Sequence, residues 1–186
     1  MAWMRVIGGK AKGRKLRLVP GLSTRPITDR VKESLFNILR MDISGSIFLD
    51  LFAGTGSVGI EALSRGARYV RFIDLNRKAI KTIRENLISV DLIQGSEVVQ
   101  MDAFSLLSKS PDVRFDYVYV APPQYQGIWK KTLLFLDQQP DWVVDDGWVI
   151  VQIDPKELEE IILENFSMFD QRRYGNTLLI FYERTL

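Results

Sequence analysis

The stretch Ile47-Phe48-Leu49-Asp50-Leu51-Phe52-Ala53-Gly54-Thr55-Gly56 decides the fold. An apolar run ends in an acid, two glycines follow close behind, and a helical pattern begins after them. A strand closed by an acid, then a tight turn, then a helix N-terminus holds a polar, nucleoside-like ligand at the carboxyl edge of a parallel sheet. Two residues beyond Gly56 stands Val58 rather than a third glycine, so the loop reads as an incomplete pyrophosphate fingerprint. Asp50 adds to this, because an acid at the strand end repels a diphosphate and attracts a cation. An amino-acid ammonium on a sulfonium-bearing nucleoside meets that requirement, which favours S-adenosylmethionine over NAD. A nicotinamide oxidoreductase is disfavoured on the same two grounds.

Outward from this loop, strand-like and helix-like segments alternate. Strands are expected at 47–52, 69–74, 96–102, 115–120 and 147–153, and helices at 57–65, 76–89, 103–109, 128–138 and 155–165. This alternation implies a parallel sheet with helices on both faces. Toward the end, Phe166–Tyr174 and Thr177–Tyr182 flank Gly175-Asn176, a hairpin signal that adds an antiparallel pair to the sheet. Before the loop, residues 3–19 read as a hairpin turned by glycines, and a helix capped by Thr28 follows. The expected division is a basic hairpin arm over 1–22 and a catalytic domain over 23–186, of which 23–44 is a segment that closes over the cofactor.

Composition narrows the chemistry. The 186 residues include no cysteine and no histidine. Disulfides, thiolate nucleophiles, Cys/His zinc sites and imidazole acid–base catalysis are therefore excluded, and no metal is expected. No apolar run approaches the roughly 20 residues that span a bilayer, and the N-terminus lacks a long apolar leader. A cytoplasmic location and a monomer are expected. Charge is uneven: residues 5–32 hold nine basic side chains and one acid, a local +8 in a chain of +2. Arg5, Lys10, Lys12, Arg14, Lys15, Arg17 and Arg25 are the candidate contacts to a polyanion.

Ligands bind outside the carboxyl ends of such strands. The first ends at Asp50 and the Gly54/Gly56 loop. The second ends at Asp74, whose carboxylate can accept from both ribose hydroxyls. The third ends at Asp102-Ala103, where the acid can accept from an adenine amine and a backbone N–H can serve a ring nitrogen. The plainer alternatives are that Asp50 steadies a turn, Asp74 ends a strand and Asp102 caps the next helix. The fourth ends at Ala121-Pro122-Pro123-Gln124-Tyr125. Two prolines there stiffen the backbone and remove N–H donors, and Tyr125 offers a face on which a displaced base can stack.

These residues carry a resemblance. Asp50-x-Phe52-x-Gly54-x-Gly56, Asp74, Asp102-Ala103 and Pro122-Pro123-x-Tyr125 resemble the class I S-adenosylmethionine-dependent methyltransferases. Arg5-Val-Ile-Gly-Gly-Lys-Ala-Lys-Gly-Arg-Lys-Leu16 and Thr24-Arg-Pro-Ile-Thr-Asp-Arg-Val-Lys-Glu-Ser-Leu-Phe-Asn37 resemble, more narrowly, the RsmD-type 16S ribosomal RNA guanine-N2 methyltransferases. The resemblance implies an α/β, Rossmann-like sheet of seven strands, six parallel and one antiparallel, with the hairpin and helix as an N-terminal extension. It implies S-adenosylmethionine as cofactor, S-adenosylhomocysteine as product, and 16S ribosomal RNA or a small-subunit particle as partner. Asp50, Phe52, Ala53, Gly54 and Gly56 would line the methionine end, Asp74 and Leu75 the ribose side, Asp102 and Ala103 the adenine, and the Thr24–Glu33 segment, with Thr28, would close over them. Ala121, Pro122, Pro123, Gln124 and Tyr125 would receive the target base.

One departure matters. Such enzymes usually carry Asn or Asp before the two prolines, where this chain has Ala121. The carbonyls of Ala121 or Pro122, or the Gln124 amide, are the substitutes the sequence offers. Losing one hydrogen bond in a transition state costs on the order of a hundredfold in rate. Two alternatives therefore stand: an RNA-binding protein of this fold with weak or lost transfer, and a methyltransferase acting on another nucleic-acid amine such as adenine N6.

Overall fold

The computed structural model describes residues 4–21 and 27–185. Two two-residue strands, β1 (Met4–Arg5) and β2 (Lys15–Leu16), pair antiparallel, and helix α1 (Asp29–Leu39) follows. The Thr28 hydroxyl accepts from the Val31 N–H at 3.4 Å at its start. Then come β3 (Ile47–Asp50), α2 (Ser57–Ser64), β4 (Tyr69–Asp74), α3 (Arg77–Ser89), β5 (Ser96–Gln100), α4 (Ala103–Leu107), β6 (Phe115–Val120), α5 (Ile128–Gln138), β7 (Val143–Ile153), β8 (Phe166–Tyr174) and β9 (Thr177–Arg184).

Strands β3 to β9 form one sheet in the order β5-β4-β3-β6-β7-β9-β8. All neighbours from β5 to β7 pair parallel, and β9 lies antiparallel between β7 and β8. Six strands therefore run one way and β9 alone runs the other. The Gly175-Asn176 turn is tight enough to reverse the chain because Gly175 sits at φ 60°.

The sheet buries both faces by alternation. Phe48, Tyr117, Tyr119 and Ile150 face one core with helices α1 to α3, whereas Leu49, Val118, Val120 and Val149 face the other with α4 and α5. From β3 the chain winds outward through β4 to β5, then returns to place β6 on the other side of β3. That reversal splays the loops after β3 and β6 apart and opens a crevice at their carboxyl ends.

Two expectations need correction. Residue 59 is glycine, so Gly54, Gly56 and Gly59 complete the Gly-x-Gly-x-x-Gly spacing, and the loop expected to be incomplete is whole. A Cβ at Gly59 would lie 2.3 Å from the Phe72 ring, so this glycine lets α2 close onto β4. The expected helix at 155–165 is one 3-10 turn, Pro155–Glu157. Its Asp154/Glu157 capping box forms, but Leu158 turns extended. The Asp137 carboxylate then takes the N–H groups of Glu164 and Asn165 at 3.0 and 2.7 Å, supplying from α5 what a helix would have supplied locally.

The basic hairpin is docked on α2. Met4, Val6, Ala11 and Leu16 enter the first core. The N–H groups of Ile7 and Gly8 donate to the Glu61 carboxylate at 2.8 and 2.7 Å. Glu61 is fully buried and faces Lys32 at 3.6 Å and Arg65 at 2.8 Å. Burial pulls the Lys32 ammonium below its ordinary value, against the attraction of Glu61. The expected boundary at residue 22, like Arg25, lies outside the described residues.

Candidate active site

The crevice at the β3/β6 reversal is a cleft of about 1120 Å³. Each strand end delivers one element to it. β3 ends in Asp50, which is 1% exposed and accepts from the Gly59 N–H at 3.1 Å. Burial pushes the Asp50 carboxyl up to about 7; the Gly59 bond opposes this, and the nearby Asp74 charge adds to it. A carboxylate so placed favours a cation beside it. The turn role expected as the plainer alternative is thus real, and it leaves the electrostatic one intact.

Asp74 ties two loops together. Its Oδ2 accepts from the Gly54 N–H and its Oδ1 from the Asn76 N–H, both at 2.8 Å. Asn76 in turn caps α3 through the Lys78 N–H. A Cβ at Gly54 would meet nothing within 4 Å, and its φ is 55°, so the loop is open on the side of the cleft. β5 stops at Gln100, and Asp102 caps α4 by accepting from the Ser105 N–H at 2.9 Å. Only one of its oxygens makes this bond. Phe52, Ala53, Leu75 and Ala103 line the cleft, and Leu75 is 66% exposed. Met101 and Phe104 extend the same apolar wall.

Beyond β6, Ala121, Pro122, Pro123, Gln124 and Tyr125 form the opposite lip. Tyr125 takes φ 61°, a left-handed conformation that costs free energy outside glycine. Two bonds hold it: its N–H donates to Glu157 Oε1 at 2.6 Å and its hydroxyl to Asp154 Oδ2 at 2.8 Å. The Lys156 N–H and then the Tyr125 hydroxyl hold the Asp154 carboxyl below its ordinary value. The 3-10 turn that replaced the expected helix therefore braces the loop after β6.

Two expected residues stand elsewhere. Among the described residues, Gly56 and Thr28 do not line the cleft. Gly56, at φ 75°, packs on Ile83 and Phe72 at the start of α2. Thr28 faces a smaller pocket of about 320 Å³ beside Arg30 and Arg173, and its neighbour Ile27 reaches the cleft instead. Tyr119, Gln152, Asp154 and Lys156, not among the expected site residues, also line the cleft from β6, β7 and the following turn. Their signal was present only as polar residues near strand ends.

The basic side chains differ in how far they are engaged. Arg5 pairs with Asp29 at 2.8 Å and Arg17 with Glu85 at 3.0 Å, and Arg14 donates to the Ser89 carbonyl. Lys10, Lys12 and Lys15 are exposed on the docked hairpin. No group of three or more His, Cys, Asp or Glu side chains among the described residues is arranged to hold a metal.

The sheet order, the single reversed strand and the strand-end cleft define the class I methyltransferase fold. Residues 4–183 match the family described as Conserved hypothetical protein 95, and the chain belongs to it. A Bacillus subtilis protein named "Putative rRNA methyltransferase YlbH" is 39% identical over 184 residues, covering 97% of this chain and 99% of its own. "Ribosomal RNA small subunit methyltransferase D" of Escherichia coli K12 is 32% identical over 181 residues, covering 97% and 90%. The solved structure of "Putative methyltransferase yhhF from Escherichia coli" superposes with a TM-score of 0.87 at 32% identity, over 98% of each chain.

Proposed function

We propose that this protein is an S-adenosylmethionine-dependent methyltransferase that acts on the exocyclic N2 of a guanine in small-subunit (16S) ribosomal RNA. The observation that carries the reading is the cleft itself. A buried acid and two strand-end carboxylates rim one end, and a proline-stiffened loop forms the other. The sequence relatives named for ribosomal RNA methylation supply the substrate class.

The residues fit the cofactor. Asp50, raised by burial and beside Asp74, gains from a neighbouring ammonium. Gly54 leaves room for close approach, Asp74 retains lone pairs for ribose hydroxyls, and Leu75 with Phe104 forms an apolar wall for adenine. Asp102 and Ala103 mark the adenine edge. When bound there, S-adenosylmethionine would supply an electrophilic methyl group carried on a good sulfonium leaving group. The chain's own groups act by positioning and electrostatics. Tyr125 stacks the displaced base, and Pro122-Pro123 presents carbonyls rather than N–H donors to the amine. Lys10, Lys12 and Lys15, with Arg14, meet RNA phosphates. One chain supplies all these groups, so a monomer suffices, and a ribosomal substrate places the protein in the cytoplasm. No helix among the described residues is long and apolar enough to cross a membrane.

The test is transfer of a labelled methyl from S-adenosylmethionine to unmethylated 16S RNA and to small-subunit particles, with the product nucleoside identified by mass spectrometry. N2-methylguanosine is expected. N6-methyladenosine would overturn the acceptor, and cofactor binding without transfer to either substrate would overturn the activity.

A further inference from the structure

The family this chain resembles usually carries a carboxamide or carboxylate before the two prolines, and Ala121 cannot supply it. The sheet brings one from the next strand. In the parallel β6/β7 pair, Val120 stands opposite Val151. Ala121 and Gln152 are the next residues along the two segments, and continuing the register one step projects them to the same face. Tyr119, two residues before Ala121, lies on that face as well, with Ala121 packed against the same core. The Tyr119 hydroxyl donates to Gln152 Oε1 at 2.5 Å, and Tyr119, Ala121 and Gln152 all line the cleft.

We propose that Gln152, oriented by Tyr119, provides the hydrogen-bond acceptor for the target amine that Asn or Asp provides from position 121 in related enzymes. This rests on the proposed transfer to a nucleic-acid amine and adds the group that aligns it.

The chemistry is self-consistent. An amide oxygen has two lone pairs. Tyr119 takes one, which fixes the carboxamide rotamer, and the other is free to accept an amine N–H. Burial, and secondarily the Asp50 charge, holds the Tyr119 hydroxyl well above its ordinary value, so it stays a donor through the physiological range. An amide is too weak a base to take the proton, so Gln152 orients the nitrogen lone pair and does not deprotonate it. Tyr119 is buried whereas Gln152 is only half-buried, as a group that meets a substrate should be. Gln124, the substitute visible in the sequence, is exposed on the outer loop beyond Pro123. Tyr119 is a positioning residue here, acting through Gln152.

The experiment combines Gln152→Met, Gln152→Glu, Tyr119→Phe and Ala121→Asn. Gln152→Met keeps the volume but removes the acceptor, and should lower kcat roughly 10- to 100-fold. KM for RNA, calorimetric affinity for S-adenosylhomocysteine and the thermal midpoint should change little. Gln152→Glu keeps an acceptor and should retain most of kcat. Tyr119→Phe should lower kcat less than Gln152→Met does, with KM preserved. Ala121→Asn should restore at least tenfold in the Gln152→Met background, a larger factor there than in the otherwise wild-type enzyme. An active wild type with a full-rate Gln152→Met variant overturns this inference alone, as does an equal gain from Ala121→Asn in both backgrounds. A wild type that transfers no methyl to any nucleic acid overturns the proposed function, and this inference with it.

Discussion

The Gly54 amide donates to Asp74 Oδ2 at 2.8 Å, so the glycine loop after β3 and the acid that ends β4 are one mechanical unit. The other oxygen of the same carboxylate holds the Asn76 N–H at the start of α3. A hydrogen bond to a charged group is worth about 1.5–3 kcal/mol, and Asp74→Ala removes two. Calorimetry should show affinity for S-adenosylhomocysteine falling on the order of 10- to 100-fold. Asp74→Asn should lose less, because one oxygen remains. Equal, near-wild-type affinity in both variants would detach Asp74 from the ligand.

Asp50 makes binding pH-dependent. Its carboxyl is raised to about 7, first by burial. A raised acid contributes stability that is fully present below its unfolded value, about 4, and is lost as pH rises through about 7. The ligand-free protein should therefore lose thermal stability across that window, and Asp50→Asn should flatten the loss. A cationic ligand favours the ionised carboxylate, so its binding near pH 6 should release a proton. Calorimetry in buffers of different ionisation enthalpy measures this directly; zero proton release would contradict the placement of the ammonium beside Asp50.

The hairpin backbone comes closest to α2 at Gly9. A Cβ at Gly9 would lie 1.8 Å from the Ser64 carbonyl oxygen, with the backbone at φ 75°. Gly13 has φ 84° but open space around it. Gly9→Ala should cost roughly 2–4 kcal/mol from the clash and the left-handed backbone together, and Gly13→Ala about 1 kcal/mol from the backbone alone. Denaturant melts rank the two. Comparable midpoints would mean that the hairpin does not dock through Gly9.

RNA affinity should follow the exposed cations. Lys12→Glu with Arg14→Glu is expected to weaken RNA binding and to reduce the slope of log affinity against log salt by roughly 1.5. Affinity for S-adenosylhomocysteine should stay within twofold. Arg5 and Arg17 already face Asp29 and Glu85, so Arg5→Ala and Arg17→Ala should weaken binding less. An unchanged slope in the double variant would remove the hairpin from the RNA surface.

Much of the architecture was legible because it is written in local periods. Apolar runs marked strands such as β3, an apolar face at helical spacing marked α1, and Thr28 and Asn76 announced helix starts through their own side chains. The acids Asp50, Asp74 and Asp102 could be found because a parallel sheet sends every strand end to one edge. The failures have equally physical causes. Leu158, Ile161 and Ile162 have helical spacing, yet Asp137 claims the amides of Glu164 and Asn165 from another element. Gly59 was passed over, and the close approach it permits to Phe72 shows only when α2 lies on β4.

By itself, then, the chain's order of residues determined the alternating strands and helices, the acid-and-glycine crevice, the chemistry ruled out by lacking His and Cys, and the cationic N-terminal segment. Folding decided the rest. It brought Gln152 to the Tyr119 hydroxyl, gave Asp154 and Glu157 to Tyr125, and handed the hairpin's amides to a buried Glu61. These partners lie far apart along the chain, and strand register and packing, which no local period encodes, bring them within hydrogen-bonding reach.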